Sequence, residues 1–467
     1  MAPDAERDAV MIQASVIIAT YNRAERLRAC LQALCQQTQR TDDFEVIVVV
    51  DGSTDGTREM LESFQAPYAL RSIDQRNQGQ SVALNNGTAA AAGGICIFTD
   101  DDIAVGPTLV SDHLRLHRER DRMVGIGQMT LKLPPGADWY AQNYAHDWCG
   151  HYAELNRETR QPNWEDCFGG NMSVDRAAFL HVGGFAADLV RGYDIELAYR
   201  LAQEGYSFAY LPTALGDQDE RKGLEALARE SEKSGAGCVE LFRRYPSLLR
   251  LIGAFPEQRP LWALSWRILM SLDVSPGNLE RARRLLGNRA ANHEGYRFIK
   301  QYAFWKGVRR AICDQDTWKR LTSGVPVLMY HAFGSAGEAP SRYIMPARRF
   351  AMQMSWLKRM GYHVLGLEEF LRYRREHRLP PARSVVITID DGYMDTRSVA
   401  YPILRRLNFP ATVFLVTGKI GEVNDWDGQS ELARRPLLSW SSMHEMLQGG
   451  IQFGAHTRTH PDLTTCS

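Results

Sequence analysis

The sequence predicts an α/β protein with two modules, each built on a mostly parallel sheet. Short apolar runs alternate with stretches of helical spacing, which is the pattern of strand–helix–strand units. Several of these runs end in polar or acidic clusters, such as Asp100-Asp101-Asp102 after residues 95–99. Ligands of parallel sheets bind beyond the carboxyl ends of the strands. These two observations together predict both the fold class and the edge that carries function.

Three strand–helix units make up the first hundred residues. Residues 14–22 read as a strand and a polar turn, and residues 23–36 have helical spacing. A second strand, 44–50, runs into Asp51-Gly-Ser-Thr-Asp-Gly56, a turn with helix-capping chemistry. Residues 76–93 are rich in small side chains and predict a helix that leads into the strand before Asp100. All three polar clusters therefore fall at one sheet edge.

The three adjacent carboxylates at 100–102 predict a cation site. Three negative charges at one strand end are unfavourable unless a cation neutralises them. Oxygen-only ligands favour Mg²⁺ or Mn²⁺, commonly shared with the phosphates of a substrate. A solvated acidic loop is the alternative interpretation of these acids taken alone.

Several motifs of this module, in order, resemble the family 2 glycosyltransferases, which have the GT-A fold. They are VIIATYNR, EVIVVVDGSTDGT, the Asn/Gly/Ala run from 77 to 93, FTDDDI, 168–185 and 191–212. The resemblance covers about residues 12–215. It implies an inverting transferase that moves a sugar from a nucleotide-diphospho sugar donor to a glycan or oligosaccharide acceptor.

The resemblance also implies roles for individual residues. Thr20, Tyr21 and Asp51 would line the nucleoside pocket. Asp100 and Asp102 would form the DxD pair that holds the metal on the donor diphosphate. Donor binding would further involve Asn77, Gly79, Asp100 and Asp101.

Asp194 would be the general base that removes the proton of the acceptor hydroxyl. It also opens a helix, where an acid is favourable in any case, and the two interpretations are compatible. The chain departs from the family pattern at Val50 and Tyr193, where acids are usual. Many family members carry a metal-binding His after the Leu-Pro turn, for which Asp217 is the nearest candidate here.

The last 150 or so residues carry a second set of strand-end clusters. Residues 324–331 read as a strand ending in His331, and 384–389 as a strand ending in Asp390-Asp391-Gly392. His456 and His460 are four apart, so they can share one helical face and one metal. Chance spacing is the alternative for the two histidines alone. With the aspartates they predict an Asp-His-His site with open positions, as a hydrolytic metal requires.

This segment resembles the polysaccharide deacetylases of carbohydrate esterase family 4, whose fold is a deformed (β/α) barrel. Thr388–Gly392 matches the first motif of that family and residues 456–460 match the second. The resemblance implies that Asp390 is the general base and that Asp391, His456 and His460 bind Zn²⁺ or a similar divalent ion. The implied substrate is an N-acetylated sugar polymer or oligomer, and the bond broken is an amide C–N bond.

We expect the domain at 324–467 to be C-terminally incomplete. The later family motifs do not occur before Ser467, so the sequence is either a fragment, which we favour, or a degenerate domain. About half of a barrel would leave an open sheet edge. We therefore expect weak or no deacetylation by this chain, and zinc-dependent release of acetate would contradict that expectation.

Composition and charge restrict the remaining function classes. Lys+Arg and Asp+Glu balance at 55 each, so no basic field points to nucleic acid. The N-terminus is not a signal peptide, and no apolar run is long enough to span a membrane, so we expect a cytoplasmic protein. Eight scattered cysteines without a C-x-x-C motif favour a reducing compartment.

Residues 216–323 are expected to form a helical connector. Its aromatic residues, including Trp262 and Trp266, either pack in a core or bind the acceptor. Residues 261–270 form either a buried or a membrane-surface helix, so peripheral membrane contact stays open. Two other hypotheses remain for the chain: a non-catalytic carbohydrate- or nucleotide-binding scaffold, and a transferase with an inactive deacetylase remnant.

Overall fold

The computed structural model describes residues 11–158, 160–252, 268–285, 293–322, 324–334, 343–426, 432 and 434–461. These residues form two compact units. The first unit comprises described residues of Met1–Leu241 and Leu264–Ala311, and the second comprises those of Phe242–Ala263 and Ile312–Ser467. The predicted α/β class is confirmed, with one main sheet in each unit.

The main sheet of the first unit has eight strands in the order β3-β2-β1-β4-β7-β6-β8-β5. β3, β2, β1 and β4 run parallel, whereas β7 is antiparallel to β4 and β6. The parallel half thus carries the first strand-end motifs, and the other half is mixed. The strands are β1 (Ala14–Thr20), β2 (Phe44–Asp51), β3 (Ala69–Gln75), β4 (Ile95–Thr99), β5 (Ile103–Val105), β6 (Met123–Lys132), β7 (Asn171–Asp175) and β8 (Ser207–Asp219).

Helices cover both faces of this sheet. On β1, Val16 and Ile18 belong to one apolar core while Ile17 belongs to the other, because successive side chains of a strand point to opposite faces. Such strands are buried on both sides, which explains their nearly continuous apolar sequence. The helices are α1 (Ala24–Leu34), α2 (Thr57–Ser63), α3 (Gln80–Ala90), α4 (Leu109–Glu119), α5 (Trp139–Asn156), α6 (Arg176–His181), α7 (Tyr193–Gln203), α8 (Leu224–Arg244), α9 (Pro276–Leu285) and α10 (His293–Ala311).

A buried polar network joins α4 to β7. His113 Nδ1 lies 2.7 Å from Ser173 Oγ, and His117 Nε2 lies 2.9 Å from the same oxygen. His113 Nε2 lies 3.0 Å from Asn171 Oδ1. Burial lowers the pKa of His113 from 6.5 to about 4, since a buried imidazolium loses its hydration. His113 is therefore neutral in the folded protein near pH 7.

This network predicts acid sensitivity. The folded pKa of His113 lies below its unfolded value, so the unfolded state binds more protons and stability falls as pH drops from about 6.5 towards 4. Full titration would cost about 3 kcal/mol. Urea unfolding of the first unit at pH 7, 5.5 and 4.5 measures the loss. The His113→Gln variant should show a flatter pH dependence than the His181→Gln control, and equal slopes would contradict the assignment.

The second unit contains a five-stranded parallel sheet. β12, β13, β14 and β15 are neighbours in that order, and β9 pairs with β13. Its elements are β9 (Val327–Tyr330), β10 (Ala332–Gly334), β11 (Ile344–Pro346), β12 (His363–Leu365), β13 (Ser384–Ile389), β14 (Ala411–Leu415), β15 (Ile451–Ala455), α11 (Gln315–Thr322), α12 (Ala347–Arg359), α13 (Leu367–Arg375), α14 (Tyr401–Leu407) and α15 (Trp440–Gln448).

The expected connector, 216–323, is divided between strand and helix. Residues 216–219 end strand β8, and α8 to α11 follow within the described part of the segment. Trp262 and Trp266, and most of the apolar run 261–270, lie outside the described residues. Among the helices that are described, none has the length and apolarity needed to cross a bilayer.

Candidate functional sites

An acidic cluster follows strand β4 at the carboxyl edge of the first sheet. Asp101 and Asp102 are only 3% and 8% exposed. Asp101 accepts hydrogen bonds from Thr20 Oγ1 at 2.7 Å and from Arg23 Nη1 at 2.8 Å. β1 and β4 are adjacent parallel strands, so their ends bring Thr20 and the acids together. In this structure Thr20 orients an acid of the cluster.

Asp102 is surrounded by nitrogen donors. Its Oδ2 accepts from Arg23 Nη1 and Arg26 Nη1, both at 3.2 Å, and its Oδ1 accepts from Gln218 Nε2 at 3.2 Å. The two arginines lie at the start of the first helix, directly after the β1 loop. Their charges compensate the buried carboxylates of Asp101 and Asp102, which otherwise would be costly to desolvate.

Asp100 is the carboxylate with the least compensation. Its Oδ1 accepts from Gln80 Nε2 at 2.8 Å, whereas no donor among the described residues reaches Oδ2. Burial, with the neighbouring Asp102 and Asp101, raises the pKa of Asp100 to about 7. A carboxylate in this environment is stabilised by a bound cation. The oxygen-rich cluster therefore fits a hard divalent ion such as Mg²⁺ or Mn²⁺.

The Gly169-Gly170 turn brings Asp194 to the same edge. Asp194, at the second position of α7, accepts from Gly169 N at 3.0 Å. A Cβ on Gly170 would lie 2.9 Å from Ile103 Cδ1 and 3.0 Å from Asp100 Oδ2, so a larger residue there would displace the Asp100 carboxylate or its neighbour. The electrostatic influence of Asp194 also contributes to the raised pKa of Asp100. The two predicted acids, almost a hundred residues apart in sequence, therefore share one site.

Asp51 holds the loop between β3 and α3. Its Oδ1 accepts from Gln75 Nε2 and Gln78 N, both at 2.8 Å, and its Oδ2 accepts from Gly79 N at 2.9 Å. Since Gln80 follows directly and binds Asp100, the buried Asp51 positions one wall of the acidic site.

The neighbouring loops shape the rim of this site. Gly52 has φ +78°, and a Cβ there would lie 2.8 Å from Asn77 N, so the conformation and the close approach both require glycine. Tyr21 is 50% exposed, and Asn77 is exposed. No hydrogen bond or ion pair among the described residues joins either of these side chains to the acids.

Sequence reasoning missed four polar residues of this cluster. Arg23 lies in the TYNR motif and Arg26 lies one helical turn later. Three adjacent acids need positively charged partners, and that need was the available signal for these two arginines. Gln80 follows the Gly of its motif. Gln218, rather than Asp217, faces Asp102, because consecutive strand residues point to opposite faces. Asp217 instead pairs with Lys132 at 2.5 Å.

A second site lies at the carboxyl edge of the sheet in the other unit. Asp391 follows β13, and its Oδ1 lies 3.5 Å from His456 Nε2 and 3.2 Å from His460 Nε2. This oxygen is buried and accepts no hydrogen bond within the described residues. The three predicted ligands therefore converge around an unsatisfied buried oxygen.

The distances from Asp391 to the two histidines fit a tetrahedral metal, and the ligand atoms of all three residues lie within 4.8 Å of one another. Two ligand atoms bound to Zn²⁺ at about 2.1 Å lie roughly 3.4 Å apart, which matches both distances to Asp391 Oδ1. The Asp391 side chain is 4% exposed, while those of His456 and His460 are 35% and 33% exposed. The site is thus buried on the aspartate side and open on the histidine side, which leaves room for a substrate.

The predicted helical arrangement of the two histidines is wrong. Residues 456–460 follow β15 as irregular backbone, and Thr457 and His460 have φ of +63° and +57°. Asp391 also has a positive φ, +69°. Backbone of this kind is unfavourable for non-glycine residues and concentrates at functional sites. Here the turns, rather than a helix face, bring the two rings to a centroid distance of 5.1 Å.

Asp390 and His331 form the second half of this site. Tyr330 is in register with Ile389, so His331 and Asp390 occupy equivalent positions just beyond two adjacent parallel strands. Burial raises the pKa of Asp390, and the nearby His331 and His456 oppose that rise. Sequence reasoning quoted the strand before His331 but assigned the residue no role; its place at a strand end was the available signal.

Two families match the chain in the expected order. Residues 15–183 match the family described as Glycosyl transferase family 2, and residues 377–467 match the family described as Polysaccharide deacetylase. Four acids of the first site lie in the first match, namely Asp51, Asp100, Asp101 and Asp102. Asp390, Asp391, His456 and His460 lie in the second match.

Curated relatives match each half separately. A validoxylamine A glucosyltransferase of Streptomyces hygroscopicus subsp. jinggangensis is 29% identical over 268 residues, covering 50% of this chain and 61% of the relative. A putative polysaccharide deacetylase of Bacillus subtilis is 32% identical over 152 residues, 32% of this chain and 49% of the relative. A poly-beta-1,6-N-acetyl-D-glucosamine N-deacetylase of Staphylococcus aureus is 32% identical over 133 residues, 28% and 43% respectively.

The chain spans between 43% and 61% of the length of these three curated relatives. The matches agree with the two resemblances and with the α/β sheets that carry the motifs. The chain therefore carries, at residues 15–183, a domain that matches the family 2 glycosyltransferases and, at residues 377–467, a segment that matches the polysaccharide deacetylases.

Proposed function

We propose that the first domain is an inverting glycosyltransferase that uses a nucleotide-diphospho sugar and a divalent cation. The observation that carries this proposal is the convergence of Asp100, Asp102 and Asp194 at one sheet edge. A bound Mg²⁺ or Mn²⁺ would neutralise the charge that develops on the departing diphosphate. Because nucleotide sugars are made in the cytosol, a cytoplasmic location is part of this proposal.

Each residue of the site would have a separate role in sugar transfer. Asp100 and Asp102 would hold the cation, while Thr20 and Arg23 orient the acids beside it. Asp194 would take the proton of the acceptor hydroxyl, whose oxygen forms a bond to the anomeric carbon as the bond to the diphosphate oxygen breaks. Attack opposite to the leaving group inverts the anomeric centre. Tyr21, Asp51, Asn77 and Gly79 would contribute to the donor pocket.

A panel of nucleotide-diphospho sugars with Mn²⁺ or Mg²⁺ tests this function. Wild type should hydrolyse or transfer from at least one donor only when the metal is present. Asp100→Asn should lower turnover by at least about 100-fold, because metal-assisted charge stabilisation is worth several kcal/mol. The exposed Asp121→Asn serves as a charge-matched control. Metal-independent turnover, or full activity of Asp100→Asn, would contradict the metal role; nucleotide binding without any turnover would favour the scaffold hypothesis.

A second candidate function belongs to the C-terminal domain. We propose that, in the whole protein, it removes acetyl groups from an N-acetylated amino-sugar polymer or oligomer, a substrate class suggested by the name of the Staphylococcus relative. The Asp391–His456–His460 triad supports this proposal. The metal, when bound there, would polarise the acetyl carbonyl and acidify water.

The proton transfers of deacetylation fall to two residues. Asp390 would take a proton from the attacking water, whose oxygen bonds to the acetyl carbon. His331 would donate a proton to the amine nitrogen as the C–N bond breaks, which leaves acetate and a free amine. Their positions at the ends of two adjacent parallel strands support this assignment of an acid and a base to one reacting centre.

A further inference from the structure

Two arginines reach the acidic cluster of the transferase domain, but they hold its carboxylates unequally. Arg23 Nη1 donates to Asp101 Oδ1 at 2.8 Å and to Asp102 Oδ2 at 3.2 Å. Charge-assisted hydrogen bonds of this type are normally about 2.7–2.9 Å long. The contact with Asp101 is therefore of full strength, whereas the contact with Asp102 is long. A competing cation would replace the Asp102 contact first.

The backbone around Arg23 is fixed on both sides. Asn22 Oδ1 accepts from Thr54 N at 2.7 Å, and Asn22 N donates to Ser53 Oγ at 3.0 Å. Ala24 N donates to Asp55 Oδ2 at 3.1 Å. Both neighbours of Arg23 are thus tied to the loop after β2, so a change of partner by its guanidinium would involve side-chain rotation alone.

Arg23 is much more exposed than the carboxylate it contacts, so Arg23 is the partner that can move. The side chain of Arg23 is 41% exposed, while that of Asp102 is 6% exposed. A guanidinium at the surface can turn towards a ligand without opening the core. Its planar fork matches the geometry of phosphate oxygens, which an ammonium group does not. Among the described residues Arg26, at 26% exposure, pairs with Asp102 alone and can keep that carboxylate partly neutralised.

We infer that Arg23 exchanges partners when the donor binds, an inference that rests on the proposed transferase function. In the unliganded domain Arg23 neutralises Asp101 and Asp102. In the presence of a divalent cation and a nucleoside diphosphate, it leaves Asp102 Oδ2 for the cation and pairs with a diphosphate oxygen. Arg23 therefore competes with the metal but binds the leaving group, so its two effects on ligand affinity have opposite signs.

Calorimetric titration of Arg23→Gln tests this exchange. Mn²⁺ alone should bind about ten-fold more tightly than to wild type, because Asp102 loses a competing cation. UDP, GDP, ADP, CDP and dTDP are then titrated at saturating Mn²⁺, and the diphosphate that wild type prefers should bind about ten-fold more weakly. Arg28→Gln, an exposed change on the same helix, should match wild type in both titrations.

Each outcome distinguishes the hypotheses. If Arg23→Gln shifts both affinities in the same direction, or matches Arg28→Gln, the exchange is wrong while the transferase function stands. If wild type binds none of the diphosphates with Mn²⁺, both the exchange and the proposed function fail. Arg23→Lys keeps the charge without the fork, so it should retain wild-type Mn²⁺ affinity and lose part of the diphosphate affinity. If Arg23→Gln folds poorly, Arg23→Lys tests the exchange instead, and unchanged diphosphate affinity in Arg23→Lys would contradict it.

Discussion

Replacing Asp194 with Asn should lower the rate of sugar transfer by about a thousand-fold, since a positioned general base contributes 10²–10⁴ to rate. Donor affinity should stay within about two-fold, because Asp194 acts on the acceptor proton. The change keeps the shape of the side chain, and its oxygen can still accept from Ile195 N, which lies 2.9 Å from Asp194 Oδ1 in wild type, while the hydrogen bond from Gly169 N is lost. Initial rates with a saturating donor and an identified acceptor measure the effect.

The control for Asp194→Asn addresses its position at a helix start. An acid there stabilises the helix by about 0.3–1 kcal/mol whether or not it is catalytic. Glu204→Gln makes the same charge change just beyond the other end of α7 and should leave the rate unchanged. If Asp194→Asn shows a small fall in Tm and an unchanged rate, Asp194 only stabilises the start of the helix, and its role as base is contradicted.

Replacing His460 with Ala should weaken Zn²⁺ binding to the deacetylase domain by at least about 100-fold. Loss of an outer-shell partner alone costs 10–100-fold in metal affinity, and His460 Nε2 lies only 3.2 Å from the buried Asp391 Oδ1. Competition with a chromophoric chelator measures the affinity and the stoichiometry. All variants are measured in an Asp100→Asn background, so that zinc bound at the acidic cluster of the first domain does not contribute to the stoichiometry.

His444→Ala is the matched control for the zinc experiment. His444 lies on α15 and is exposed, and its ring contacts Gln448. This variant should bind one Zn²⁺ with wild-type affinity. Equal zinc affinity in the His460→Ala and His444→Ala proteins would show that the Asp-His-His triad is not a metal site. Loss of binding in both would point instead to a general loss of folding.

Strand ends were the part of each site that could be predicted. Strands that are buried on both faces of a parallel sheet have nearly continuous apolar sequences, so the residue at which each strand ends can be read from the sequence. Asp100 and Asp391 each follow such a run and lie at the predicted edge. The order of the motifs likewise predicted both family matches.

Partners from distant segments could not be predicted in this way. Asp217 and Gln218 are adjacent in sequence, and only the register of β8 against β5 and β6 decides which one faces Asp102. A shift by one residue reverses the face of every side chain in a strand. The spacing of His456 and His460 suggested a helix because spacing does not encode the positive φ of Thr457 and His460.

The sequence by itself determined the α/β class, the two families and the residue types of both sites, because these depend on local periodicity and on short motifs. The tertiary structure decided the pairing of Arg23 and Arg26 with the acids, the approach of Asp194 to Asp100 through a glycine turn, and the position of His331 beside Asp390. These contacts join residues between 59 and 94 positions apart. Their geometry depends on strand order and register, which arise only when the sheets pack.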